Sequence, residues 1–298
     1  MTVISESDRL PKIWLDNLEV LIADGVDEAA AVAYAKKQLD SYPPAIGGIE
    51  YIPLSDPEGA DVLMLTNAAC ELRRHLGLGP VIISAAERVH LVGFADFVHH
   101  FGLADSLAHA GHVYLPERAR YMSRRRWLAF LSHEIAHLSG HLSAEVVLRA
   151  TEEGNCGATL KYRRSGMKHA GEGGDVGFIG LDEAVTEIAA LQIRSLANRM
   201  SPSLGGMSLG GEDRITGYFG QVILVEQLAI QLADVGVAGW SDRVAVIRAL
   251  LADYFSGSDV FLETLAEAAP AVHEFLHTLG DSEIDGEKAY ALSRVLLI

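Results

Sequence analysis

Two histidines and a glutamate in this chain have the spacing needed to hold a metal ion and activate water beside it. They lie in Leu131-Ser132-His133-Glu134-Ile135-Ala136-His137-Leu138. Residues four apart share one helical face, so His133 and His137 can bind a single ion together. Glu134 sits about 100° round the helix, where its carboxylate can reach a water on that ion and act as a base. Trp127, Leu128, Phe130, Leu131, Ile135 and Leu138 supply an apolar body, and no charge interrupts the motif except Glu134. With 12 histidines in the chain the pattern also arises by chance, and it occurs twice.

Two histidines do not complete a catalytic zinc site, which takes a third protein ligand and keeps an open position. His141 follows His137 by four residues, but three histidines along one straight helical face are too spread out to converge. The metzincin pattern, His-Glu-x-x-His-x-x-Gly-x-x-His, is met through Gly140 and fails at Ser143. Leu181-Asp182-Glu183-Ala184-Val185-Thr186-Glu187 is the better source. Glu183 and Glu187 face the same way on a helix. One can ligate, and the other can hold a ligand histidine through its second ring nitrogen. Acids at a helix start are also favoured by the helix dipole alone.

The second motif, His273-Glu274-Phe275-Leu276-His277, continues to Glu283 at the metzincin third-ligand spacing. Only 15 residues follow Glu283, and none is a methionine. No strand-rich region precedes it, so a surface or partly buried helix is the expectation there.

Together, the first motif and the Asp182–Glu187 segment resemble the gluzincins, the zincins related to thermolysin. These join His-Glu-x-x-His to a downstream helix of the form Asn-Glu-x-x-x-Asp/Glu, here with Asp182 in place of the usual Asn. The resemblance covers roughly residues 81–200, and the gap between the motifs is longer than in thermolysin. It implies a zinc metallopeptidase with one Zn2+ per chain. His133, His137 and Glu183 would be the ligands, Glu134 the general base, and Glu187 the partner behind His133. Zinc would polarise the scissile carbonyl and lower the pKa of its water toward about 7. Gluzincins take a further oxyanion donor from beyond the glutamate helix; Tyr218 is the candidate, with Tyr162 and His169 as weaker ones.

The elements that must position these residues are read from periodicity. Residues 9–40 look helical, with Asp27 capping an alanine-rich run, and residues 61–76 are helical up to Gly77. Residues 81–83, 88–92 and 112–115 read as strands, the last a possible edge for an extended peptide. The stretch 94–110 is helical in period; its His99, His100 and His109 are read as solvated. Ser123 opens the motif helix, whose Arg124, Arg125 and Arg126 oppose its dipole and are read as a solvated face, open to pairing with some of the chain's excess acid. A glycine-bearing region from Gly154 to Gly180 reads as flexible, with a possible strand at 158–164. Helices follow at 181–198, 218–235, 242–256, 260–279 and 286–297. The expected architecture is α+β: a helical N-terminal part (1–80), a zincin-like domain of small mixed sheet and two site helices (81–200), and a helical C-terminal part (201–298).

The composition is that of a globular protein, with 49% hydrophobic and 21% charged residues. A formal net charge of -16 argues against nucleic acid and anionic membranes as partners. Cys70 and Cys156 belong to no metal pattern and suit a reducing compartment. The acidic start, Met1 to Asp8, is no signal peptide, and no apolar run approaches the roughly 20 residues that span a bilayer. A cytoplasmic protein acting on peptides or proteins is expected. The alternatives are a zincin-fold binding or regulatory protein, against which Glu134 counts, and a zinc hydrolase of a small amide.

Overall fold

The computed structural model describes residues 12–15, 18–22, 26–40, 49–79, 88–102, 106–109, 112–150, 156–171, 175–200, 218–280, 284, 289 and 291–292. They form a mixture of helices and two small mixed sheets. In chain order the elements are β1 (Lys12–Leu15), β2 (Leu18–Ile22), α1 (Glu28–Asp40), β3 (Tyr51–Ile52), α2 (Asp56–His75), β4 (Val89–Val92) and α3 (Phe94–Phe101). Next come β5 (Leu107–His109), β6 (His112–Pro116), α4 (Arg124–Ser139), β7 (Leu142–Ala150), β8 (Cys156–Ser165), β9 (Lys168–Ala170) and β10 (Val176–Gly177). The helices α5 (Ile179–Met200), α6 (Phe219–Asp234), α7 (Arg243–Ser256), α8 (Val260–Ala268) and α9 (Pro270–Thr278) complete the series.

Helices α4 and α5 form the centre. Ser123 caps α4, its Oγ accepting the Arg126 N–H at 3.3 Å. Beyond that first turn α4 is enclosed on every side: Trp127 to Ala136 are buried without a break, the apolar Trp127, Leu128, Phe130, Leu131 and Ile135 surrounding the polar Ser132, His133 and Glu134. Burial of side chains such as Leu131 and Ile135 contributes about 1.5–3 kcal/mol each. Helix α5 is buried just as continuously from Gly180 to Ala190. One apolar core joins both helices to α2, α6, α7, α8, α9 and to strands β4 and β6. The half-buried Arg73 of α2 gathers the helix ends, donating to Ser139 O of α4 and Phe255 O of α7 at 3.2 and 2.6 Å. Its charge suits the negative ends of those two helices.

The six-stranded sheet has the order β1-β2-β7-β8-β9-β10, antiparallel throughout except for the parallel pair β2 and β7. Helix α1 packs on it through Ala31 and Ala35 against Val20, Ile22, Ala144 and Val146. The four-stranded sheet has the order β3-β4-β6-β5, with β4 and β6 parallel. Helix α3 covers part of it through Phe97, against Val92 and Tyr114.

Several expectations are met. Asp27 caps α1 through Ala30 N–H at 2.8 Å, and α2 ends before Gly77. Arg124 is paired with the buried Asp61 at 2.6 Å, so that basic face meets an acid. Others are corrected. The stretch 9–40 is not all helix: Lys12–Leu15 and Leu18–Ile22 are paired antiparallel strands ahead of α1. The N-terminal part, expected as mostly helical, thus carries β1, β2 and β3 beside α1 and α2. Short apolar runs are ambiguous in period, and pairing of Leu18–Ile22 along β7 settles the matter. The helical period from Phe94 stops at Phe101, where Gly102 takes φ 76°, and Leu107–His109 is a strand. Strand β6 is not an edge; it lies between β4 and β5, so among the described residues β5 is the edge on that side. Much of the glycine-bearing region is ladder rather than flexible loop, because β8 pairs along the whole of β7. The helix expected over 260–279 breaks at Ala269, whose ψ of 65° reflects the helix-averse position before Pro270. The expected strand at 81–83 and most of the helix at 286–297 lie outside the described residues. No helix among the described residues is long and apolar enough to cross a membrane.

On β4, burial pushes the His90 imidazole down to about 4, with its Nε2 2.9 Å from His112 Nδ1. Unfolded, the same ring titrates near 6.5. The native state thus binds fewer protons, and this stabilising contribution is lost as pH falls from about 6.5 through 4. Chemical unfolding of wild type and His90→Gln between pH 7 and 5 is expected to show a smaller loss in the variant. An equal loss in both would contradict the assignment.

Candidate metal centre

Helices α4 and α5 pack together so that three ligand-type atoms converge. His133 Nε2 and His137 Nε2 each lie 3.4 Å from Glu183 Oε2. One ligand atom from each of the three residues falls within 4.8 Å of the others, and this is the one such group among the described residues. The two imidazoles meet edge to face, 4.8 Å apart.

Each histidine is held from behind. His133 Nδ1 is 3.1 Å from Glu187 Oε2, which orients the ring and leaves Nε2 facing Glu183. The other oxygen of Glu187 is 3.6 Å from the Arg194 guanidinium, seven residues further along the same face. Arg194, only 2% exposed, also donates to Ser132 Oγ at 2.8 Å, which ties α5 to α4 beside the motif. His137 Nδ1 has Thr186 Oγ1 at 3.3 Å and Asp182 Oδ2 at 3.7 Å, and Thr186 in turn meets the buried Tyr254 hydroxyl at 3.0 Å.

Glu183 is gripped on its far side by Lys168 of β9. Nζ lies 2.7 Å from Oε1 and 3.1 Å from Asp182 Oδ2. Asp182 also accepts the Met167 N–H at 2.7 Å, so the β8–β9 turn is docked on the first turn of α5. Gly166 in that turn has φ +59°, and a Cβ there would stand 2.2 Å from Asp182 Oδ1. Only glycine fits both the backbone and the space. Arg164 anchors the turn from the other side, donating to the carbonyls of Gly166, Gly257, Asp253 and Ser258 and to Asp259.

Electrostatics follow from this packing. Burial works against the charge on Lys168, but Asp182 and Glu183 outweigh it and raise its pKa. Burial likewise opposes ionisation of Glu183; His137, His133 and Lys168 overcome it and hold the carboxyl well below the usual range. Burial also disfavours a proton on His133, yet its contacts with Glu183 and Glu187, aided by Glu134, raise its pKa to about 10. Four buried carboxyl groups (Glu134, Asp182, Glu183 and Glu187) face the cations Lys168 and Arg194 and the His133 ring, whose extra proton a metal ion at Nε2 would displace. A divalent cation among the three donors would balance that set, and the imidazole and carboxylate donors suit such an ion.

Glu134 is 3% exposed. Its Oε1 accepts a hydrogen bond from Ser106 Oγ, just ahead of strand β5, while Oε2 is buried with no hydrogen-bond partner among the described residues. A buried carboxylate oxygen left open in this way is an unusual expense and calls for a partner or a role. Tyr218, at the start of α6, stacks on His133 with ring centroids 5.7 Å apart and planes 7° apart.

The fold therefore brings His133, Glu134, His137, Glu183, Glu187 and Tyr218 together. His169 is elsewhere engaged, 3.4 Å from Asp259 and edge-on to Phe178. The side chain of Tyr162 lies outside the described residues. His141 leaves the helix axis and pairs with Glu19 at 3.3 Å. The second motif does not gather a third donor among the described residues. Instead His273 and His277 flank Phe178 at 5.3 and 5.0 Å, and Phe178 N–H donates to His277 O at 3.0 Å. Helix α9 thereby fixes the entry to α5, where Phe178 has φ 62°. Ser106, Lys168, Asp182 and Arg194 were not picked out as site residues from the sequence. Only the last two carried a signal: Asp182 by adjoining Glu183, and Arg194 by its seven-residue spacing from Glu187. A cavity of about 440 Å³ lined by Leu72, Leu196, Arg199, Arg243, Ile247 and Leu251 includes none of the site residues.

In comparisons with protein-family models, curated proteins and solved structures, nothing matches this chain.

Proposed function

We propose that the chain is a zinc-dependent metallopeptidase of gluzincin type. The observation that carries the reading is the convergence of His133 Nε2, His137 Nε2 and Glu183 Oε2 beside the buried Oε2 of Glu134, which has no hydrogen-bond partner among the described residues. In this reading the three residues hold one Zn2+. Bound there, the ion supplies a Lewis acid for the peptide carbonyl and a lowered pKa for the attacking water. Glu134 takes the proton from that water through its open oxygen and passes it to the leaving amine. Ser106 holds the carboxylate in place by its other oxygen. The Tyr218 hydroxyl is the candidate donor to the developing oxyanion. Glu187, fixed by Arg194, and Asp182 with Thr186 orient the two imidazoles. Strand β5 pairs with β6 on one side, and its other edge is open among the described residues. That edge can take an extended peptide in β-pairing, which favours a peptide or protein substrate over a small amide.

Quenched fluorescent peptides and an unfolded protein substrate test the reading. Zinc-loaded protein is expected to cleave them, to lose activity on chelation and to regain it with zinc. A protein carrying one zinc per chain that cleaves no peptide would leave the binding or small-amide reading in its place.

A further inference from the structure

We propose that Lys168 is a positioning residue that restricts Glu183 to a single-oxygen ligand and so keeps a coordination position open. The inference rests on the metal reading above. The two oxygens of Glu183 have divided tasks: Oε2 faces both imidazoles at 3.4 Å, while Oε1 accepts from Lys168 Nζ at 2.7 Å. A carboxylate free at both oxygens can take two positions on one ion. In a tetrahedral site with two histidines, the second oxygen would fill the place that water or substrate needs.

Lys168 is built to prevent this. Its side chain is 27% exposed, and its ammonium is pinned between two acids in the first turns of α5. Its backbone is equally fixed: Lys168 pairs with Ser165 in the β8–β9 ladder, and Met167 N–H is bound to Asp182. A lysine suits the task because its compact ammonium has three donors and can serve two carboxylates at once. The β8–β9 turn, which carries no ligand itself, thus sets how α5 presents one.

The test uses the full chain with Co2+ in place of Zn2+. Visible absorption then reports coordination number, four-coordinate Co2+ absorbing more strongly than five- or six-coordinate. Zinc affinity is measured in parallel by competition with a chromophoric chelator. Wild type is expected to give a four-coordinate spectrum. Lys168→Met is expected to lose about 10–100-fold in zinc affinity, as is usual when a group supporting a ligand is removed. Its Co2+ band should weaken as the second Glu183 oxygen enters. Lys168→Arg should recover most of both properties. Lys168→Gln, a neutral donor, is measured alongside in case the Met variant does not fold, and should shift both readouts in the same direction as Met. Neutral variants with wild-type affinity and band would overturn the proposal. So would any change of affinity with an unchanged band, since Lys168 would then act on the ion without holding one Glu183 oxygen off it. Wild type that binds neither metal refutes the metal reading itself, a separate outcome from failure of the Lys168 inference.

Discussion

Glu134→Gln is expected to lower peptide hydrolysis by about 10²–10⁴-fold, the usual contribution of a positioned general base. The variant keeps the shape of the side chain and the acceptor that Ser106 Oγ binds, but it cannot take a proton. Because Glu134 Oε2 is buried without a hydrogen-bond partner among the described residues, the folded state loses little when that oxygen changes. Zinc content and thermal unfolding should therefore match wild type while kcat/KM collapses. That separation marks a chemical role, since a structural one would move stability as well. A Gln variant that retains activity within tenfold of wild type would remove Glu134 from the mechanism.

The second large effect concerns the metal. His133→Ala/His137→Ala should carry no zinc, whereas His273→Ala/His277→Ala should keep one per chain. The reason is geometric. The first pair shares a point with Glu183, while the second pair straddles the Phe178 ring with no third donor among the described residues. Elemental analysis of the three proteins decides the matter. An ion that binds only the folded state stabilises it by about 4 kcal/mol at a thousandfold excess over its dissociation constant. Wild type should thus show a zinc-dependent rise in unfolding temperature that the first double variant lacks. The C-terminal variant should keep that rise from a lower baseline, because it loosens the contact that fixes the start of α5. Zinc lost only from the C-terminal variant would move the centre to α9.

Much of the candidate site was visible before any packing was known. His133, Glu134 and His137 declare themselves because an α-helix repeats every 3.6 residues, so spacing along the chain becomes placement on a face. Glu183 and Glu187 follow by the same rule. The Ser123 and Asp27 caps also depend on neighbours three residues away. All of this is local chemistry.

What the periodicity of the chain could not reveal depends on groups that meet across long stretches of sequence. Residues 12–22 read as helix until β7, more than a hundred residues downstream, offers a parallel partner. Strand β6 read as an edge until β5 paired beside it. Lys168 and Ser106 gave no hint in sequence, because their meaning lies in carboxylates 15 and 28 residues away. The two His-Glu-x-x-His helices have the same local pattern and the same facing histidines. Packing separates them: α4 lies against the acids of α5, whereas α9 sets its histidines on either side of a phenylalanine ring. A motif places donors on one face of a helix; the neighbouring element that covers the face sets whether they can meet an ion.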